Sequence, residues 1–219
     1  MEGMVVPKYK SVVAEIGSLR WPDLDTQDLT AVAVAYYYFS IQFRENLMTA
    51  VSIFPHDINL QLLKAGECYT ANLSPWPLVA ELGERMNHDE FMRRVLLLSP
   101  LAPETRKMLD DAGANYLQRA HQYDPVVRAQ SIASYEDGGL ETTFRAMLTA
   151  PNWDTPTLEG FRHFLIKHIS FDSDPEGGHG ALSRHLQADD RVLPLWEDFR
   201  DLLIYAAPRL STETLRQAG

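Results

Sequence analysis

From Thr26 to Phe54 the chain runs through alanines, aromatic residues and a methionine without one proline or glycine, and Pro55 stops it. An uninterrupted stretch of that length has one regular solution, an α-helix of roughly eight turns. Thr26 can cap it, and Asp28 falls in its first turn, where a negative side chain is favoured. The rest of the chain is punctuated differently, by prolines at the starts of apolar runs. Within an otherwise irregular arm over residues 1–25, a short helix is expected from Tyr9 to Leu19, ended by Trp21-Pro22. Asp57 to about Thr70 reads as a second helix, with Ile58, Leu62, Ala65 and Tyr69 on one stripe. Ser74 caps a helix to about Leu98 that admits Pro75 and Pro77 in its first turn. Pro103 opens a helix to about His121, Asp124-Pro125 one through Leu148, and Thr155-Pro156 one that ends near Asp172. A last pair is expected from Gly178 to Ala188 and from Leu193 to Tyr205, with Pro208 marking the tail.

These segments make a chain of seven or more helices, with no alternating strand and no internal repeat, and the class is all-α. At 45% hydrophobic residues the chain can bury a full core as a single domain over residues 1–219. The net charge of −10 and the scattered basic residues exclude a nucleic-acid partner of the usual cationic kind. Cys68 is the only cysteine, so neither an internal disulfide nor a cysteine-based zinc site is available. The first residues lack the apolar core and cleavage site of a signal peptide, and no stretch approaches the roughly 18 apolar residues of a membrane span. A soluble, cytoplasmic protein is expected, with a small-molecule substrate and at most a second copy of the chain as partners.

Ionisable residues recur on faces that should be apolar. In the helix expected from Ser74, Glu81 and His88 lie two turns apart on the stripe formed by Leu78, Leu82, Met86, Met92 and Val95, with Glu84 as a substitute. In the next but one, Glu136 sits mid-stripe among Val126, Ala129, Ala133, Leu140, Thr143 and Met147, whereas Glu141 lies off it. Gly138-Gly139, just after Glu136-Asp137, would cost about 2 kcal/mol relative to alanine in a regular helix, so either the helix opens there or another group comes close. Leu158, Phe161, Leu165, His168, Ile169 and Asp172 form a third face, and His179 returns just beyond the breakers in DSDPEGG. A single buried His or Glu is usually satisfied by a core partner. Three helices delivering carboxylates and imidazoles to inward faces instead suit a pair of metal ions, and this donor set suits iron. The set is Glu81, His88, Glu136, His168, Asp172 and His179, with His185 as a substitute for the last.

In order and spacing these residues resemble the heme-oxygenase-like di-iron oxidases and oxygenases, a branch of the superfamily that also holds TenA and PqqC. The likeness covers about residues 75–180. It implies a seven-helix bundle without heme, in which two irons activate O2 to oxidise a small substrate in a biosynthetic pathway. The chain departs from the family at the last ligand: His179 stands seven residues after Asp172, where three is usual. An aromatic pocket with Tyr37, Phe43 and Tyr135, and Arg44, Arg145 or Arg162 to grip a carboxylate, would suit an amino-acid-derived substrate. Alternatives are a metal-free oxidase like PqqC, a hydrolase like TenA with Cys68 as nucleophile, or a binding module whose acids pair with Arg44, Arg85 or Arg162. The run from Asp172 to Gly177 imitates a calcium loop, but its twelfth position is Ser183 instead of the required Glu.

Overall fold

The computed structural model describes residues 7–172 and 179–211. All regular structure among them is helical, apart from two isolated bridges, Thr70 with Met86 and Trp76 with Ala80. The central element is α2 (Thr26–Ile53), which is buried on every side from Leu29 to Tyr36. Its cap is Asp25, one residue earlier than expected: the Asp25 carboxylate accepts from the Gln27 and Asp28 amides, and the Asp28 carboxylate accepts in return from the Asp25 amide.

Around α2 pack α3 (Ile58–Glu67), α4 (His88–Val95), α5 (Pro103–Gln122), α6 (Pro125–Ser134), α8 (Pro156–Asp172) and α10 (Leu193–Ala206). The first helix, α1 (Tyr9–Ser18), lies against α7 (Leu140–Met147) and α10. A short helix, α9 (His179–Ser183), packs on α3 and ends sooner than Ala188, giving way to a 3-10 turn at Arg184–Leu186. Tyr36 gathers Phe39, Phe144, Phe161 and Phe164 within 5.7 Å, ring centre to ring centre, joining α2, α7 and α8 into one core. Burying each such ring contributes about 1.5–3 kcal/mol. No helix of the described residues is long and apolar enough to cross a membrane.

The helix expected from Ser74 to Leu98 is not there. Residues 68–87 form an irregular loop, and regular α-helix begins only at His88. Pro75 and Pro77 each disfavour the α conformation in the residue before them, so Ser74 and Trp76 cannot both open a helix. Leu78 and Gly83 then take left-handed backbone angles, φ 62° and 76°, which no helix tolerates. Glu81 and His88 therefore do not share a helix.

Candidate metal centre

The centre is built from the ends of short elements. In α3 the buried positions are Leu60, Leu63 and Glu67, one face at three- and four-residue spacing, so the last buried residue of that helix is an acid. The stripe expected from the sequence was the opposite one: Ile58 and Leu62, and Tyr69 just beyond the helix, all face solvent. His88 opens α4 and shares its buried face with Phe91, Met92 and Val95. His168 lies on the buried face of α8 with Phe161, Phe164 and Leu165, and His179 opens α9.

Glu136 is placed by a break in the helix. Between α6 and α7 the chain makes a π-turn, Tyr135–Gly139, in which Asp137 (ψ 45°) and Gly138 (φ 83°) leave helical geometry. Both outcomes that the Gly-Gly pair allowed occur together. Gly138 supplies the left-handed angle, and a Cβ on Gly139 would meet the Ser134 carbonyl at 2.4 Å and the Trp196 ring at 2.7 Å.

These elements converge on Glu67. Its Oε2 lies 2.7 Å from Nδ1 of His88 and 4.0 Å from Nε2 of His168, and those two nitrogens are 2.9 Å apart. Its Oε1 lies 2.9 Å from Nδ1 of His179, which is 3.7 Å from Oε2 of Glu136. Two groups that could hold a metal ion result, Glu67 with His88 and His168, and Glu67 with Glu136 and His179, all buried. Metal bonds of about 2.0–2.2 Å put neighbouring donors roughly 3–3.5 Å apart, and the contacts here, from 2.7 to 4.0 Å, fall on either side of that range.

The electrostatics fit the same arrangement. Burial by itself would raise the pKa of Glu67, but His88 and His179 outweigh it and hold the carboxyl well below the usual range. Burial, and then the neighbouring His88, push His168 down to about 3, so it is neutral at pH 7. Its Nδ1 lies 2.9 Å from the Phe164 carbonyl, which can only accept, so the ring hydrogen sits on Nδ1 and the lone pair on Nε2 faces the centre.

A cleft reaches the centre past Tyr36, Phe39, Phe43, Leu140 and Phe164, with Arg44 and Asp89 also lining it. Its free volume of about 20 Å³ is room for one water-sized molecule. Arg44 is held by Asp89, with Nε 3.1 and 3.0 Å from the two carboxylate oxygens.

The structure thus brings together His88, Glu136, His168 and His179 of the expected set. Glu81 is exposed, for the loop reason given above, and Glu84 pairs with Arg94 at 2.8 Å. The Asp172 side chain lies outside the described residues, and so do Asp174 and Glu176. His185 pairs with Asp57 at the surface. Of the residues expected to meet a substrate, Phe43 and Arg44 line the cleft. Tyr37 is half-buried beside Tyr38 and is not among the lining residues. Tyr135 is turned into the core, where its hydroxyl accepts from Gln42 Nε2 at 2.9 Å, and Arg162 is exposed. Of the arginines of the binding-module alternative, Arg44 pairs with Asp89 in the cleft, whereas Arg85 donates to the Tyr69 carbonyl and lies over the Tyr69 ring. Burial, and then the charge of Glu67, push the Cys68 thiol up to about 11, away from the thiolate form. Compared with protein-family models, with curated proteins and with solved structures, the chain matches none.

Proposed function

We propose that this chain is an O2-dependent oxidase or oxygenase of the heme-oxygenase-like di-iron kind, acting on a small, amino-acid-derived substrate. The observation that carries this reading is Glu67, a buried carboxylate with one oxygen toward His88 and His168 and the other toward His179 and Glu136. A carboxylate so placed is a bridging ligand in form. Three imidazoles and two carboxylates without a thiolate suit iron among the redox-active metals, and a helical bundle is a scaffold on which such sites are built. Glu67 takes the part that the resemblance gave to Glu81.

Two ferrous ions held there would supply electrons to O2. The protein's own contribution is placement and exclusion. His168 is neutral with its lone pair aimed inward, so it needs no deprotonation to bind. Phe39, Phe43, Leu140 and Phe164 wall the cleft with apolar surface, which limits water at the centre and strengthens each electrostatic contact within it. Arg44, a third exposed, gives its Nε to Asp89, and the rest of its guanidinium can meet the anionic end of a substrate.

The test is anaerobic loading with ferrous iron followed by exposure to O2, with Glu136→Ala alongside. The expected result is stoichiometric O2 consumption with a change in the visible spectrum in the wild type only. Iron-loaded wild-type protein that is inert to O2 would refute the oxidase reading and favour a metal-binding module.

A further inference from the structure

The hydrogen bonds around Asn72, taken with the metal reading above, show how one half of the centre is set. Asn72 lies half-buried in the loop that follows α3, and its Nδ2 donates to the Gly66 carbonyl at 2.8 Å. That bond settles which way the amide points. The nitrogen is committed to Gly66, so the atom that faces Nε2 of His88 at 2.9 Å is Oδ1. An amide oxygen only accepts, and the hydrogen in this contact must therefore belong to His88 Nε2.

On the other edge of the ring, Nδ1 faces Glu67 Oε2 at 2.7 Å and His168 Nε2 at 2.9 Å. Both are lone-pair atoms, the second because His168 keeps its hydrogen on Nδ1 for the Phe164 carbonyl. With a single ring hydrogen, His88 has two choices. With its hydrogen on Nδ1, given to Glu67, the proton occupies the point where the three donor atoms meet. With its hydrogen on Nε2, given to Asn72, three lone pairs converge on that point.

We infer that Asn72 is a positioning residue of the centre: it selects the second tautomer of His88 and so presents Nδ1 to a metal ion. A hydrogen-bond acceptor behind a ligating imidazole commonly does this, and His168 has the Phe164 carbonyl in the same part. Through the Gly66 carbonyl the same side chain also ties the loop to the residue preceding Glu67, so Glu67 and His88 are held by one amide.

Two substitutions separate these duties. Asn72→Asp keeps an accepting oxygen and drops the donor to Gly66, whereas Asn72→Leu removes both. In metal-free protein, proton–nitrogen correlation spectra of the His88 ring report the tautomer directly. Nε2 carries a hydrogen in the wild type and in Asn72→Asp, and is bare in Asn72→Leu. Titration with Co2+, followed by its visible spectrum, reads the consequence. Asn72→Leu binds about 10–100-fold more weakly, and Asn72→Asp matches the wild type. Unchanged affinity in Asn72→Leu, or a hydrogen still on Nε2, overturns the inference. Asn72→Asp falling as far as Asn72→Leu does so too, by making the bond to Gly66 the residue's whole role. Wild-type protein that takes up no cobalt overturns the metal reading itself, a result the tautomer spectra distinguish because they need no metal.

Discussion

Gly180→Ala perturbs the centre by a distance that can be worked out. A Cβ on Gly180 would stand 2.7 Å from the Glu136 carbonyl oxygen, where ordinary contact begins near 3.4 Å. Either α9 or the π-turn must therefore give by about 0.7 Å, since the obstructing atom is backbone. His179 immediately precedes Gly180, so the displacement is passed to its Nδ1, now 2.9 Å from Glu67 Oε1. Metal sites tolerate deviations of about 0.2 Å in their ligand distances, and a shift of several times that removes His179 from the set. Overpacking costs about 1–3 kcal/mol. For a domain of 219 residues that lowers the melting temperature by roughly 2–12 °C. Thermal melts of metal-free protein and a metal count after dialysis read the two effects. The expected variant folds, melts lower and keeps the ion at His88 and His168 while losing the one at His179. Gly83→Ala is the control: nothing lies within 4 Å of its Cβ, so only the left-handed angle (φ 76°) is strained and metal binding is unaffected. A Gly180→Ala variant that keeps both ions at wild-type affinity would refute the reasoning.

Glu81→Ala leaves metal content unchanged and stability within about 0.5 kcal/mol, because the side chain is exposed; a lost ion in this variant would return Glu81 to the centre. Acidification weakens the metal-free fold through His168. Its folded pKa of about 3 lies below its ordinary value of 6.5, so the unfolded chain alone takes up a proton between them and stability falls as pH drops below 6.5. The loss is about 2 kcal/mol at pH 5. Urea titrations at pH 7.5 and 5 should show that loss shrink by a similar amount in His168→Gln, and an equal loss in both proteins would show the cause to lie elsewhere. Gly113→Ala drives a methyl to within 2.2–2.4 Å of the Tyr38 ring and breaks the 2.8 Å bond from Tyr38 to Asp110. It should destabilise the α2–α5 contact by about 2–4 kcal/mol, and a urea midpoint unmoved from the wild type would count against that packing.

The helical class was legible because prolines at helix starts and one long unbroken run leave little alternative. His88, Glu136 and His168 were legible because each interrupts an apolar stripe, and Gly138-Gly139 announced the π-turn. What misled was the run from Ser74, where prolines that suit a first helical turn also act on the residues before them. Ser74 and Trp76 both precede a proline, and that second effect won. Losing that helix released Glu81 to the surface. Glu67 was hidden for a different reason: α3 is only ten residues long and carries apolar side chains on two faces, so Ile58, Leu62 and Ala65 looked as convincing as Leu60 and Leu63. The signal that could have found it is the acid itself, seven residues after Leu60 and four after Leu63. Asn72 left no sequence signal, because its part depends on a loop conformation that brings Gly66 and His88 to one amide.

Counting iron per chain after anaerobic loading, in the wild type and in Glu67→Gln, asks most directly whether one carboxylate joins two metal sites. The amide keeps the shape of the side chain but replaces one of the two lone-pair oxygens with a hydrogen-bond donor and removes the charge. Two irons in the wild type and loss of both in the variant are expected. A wild type that holds a single iron, or a Glu67→Gln protein that retains two, would contradict a centre built on Glu67.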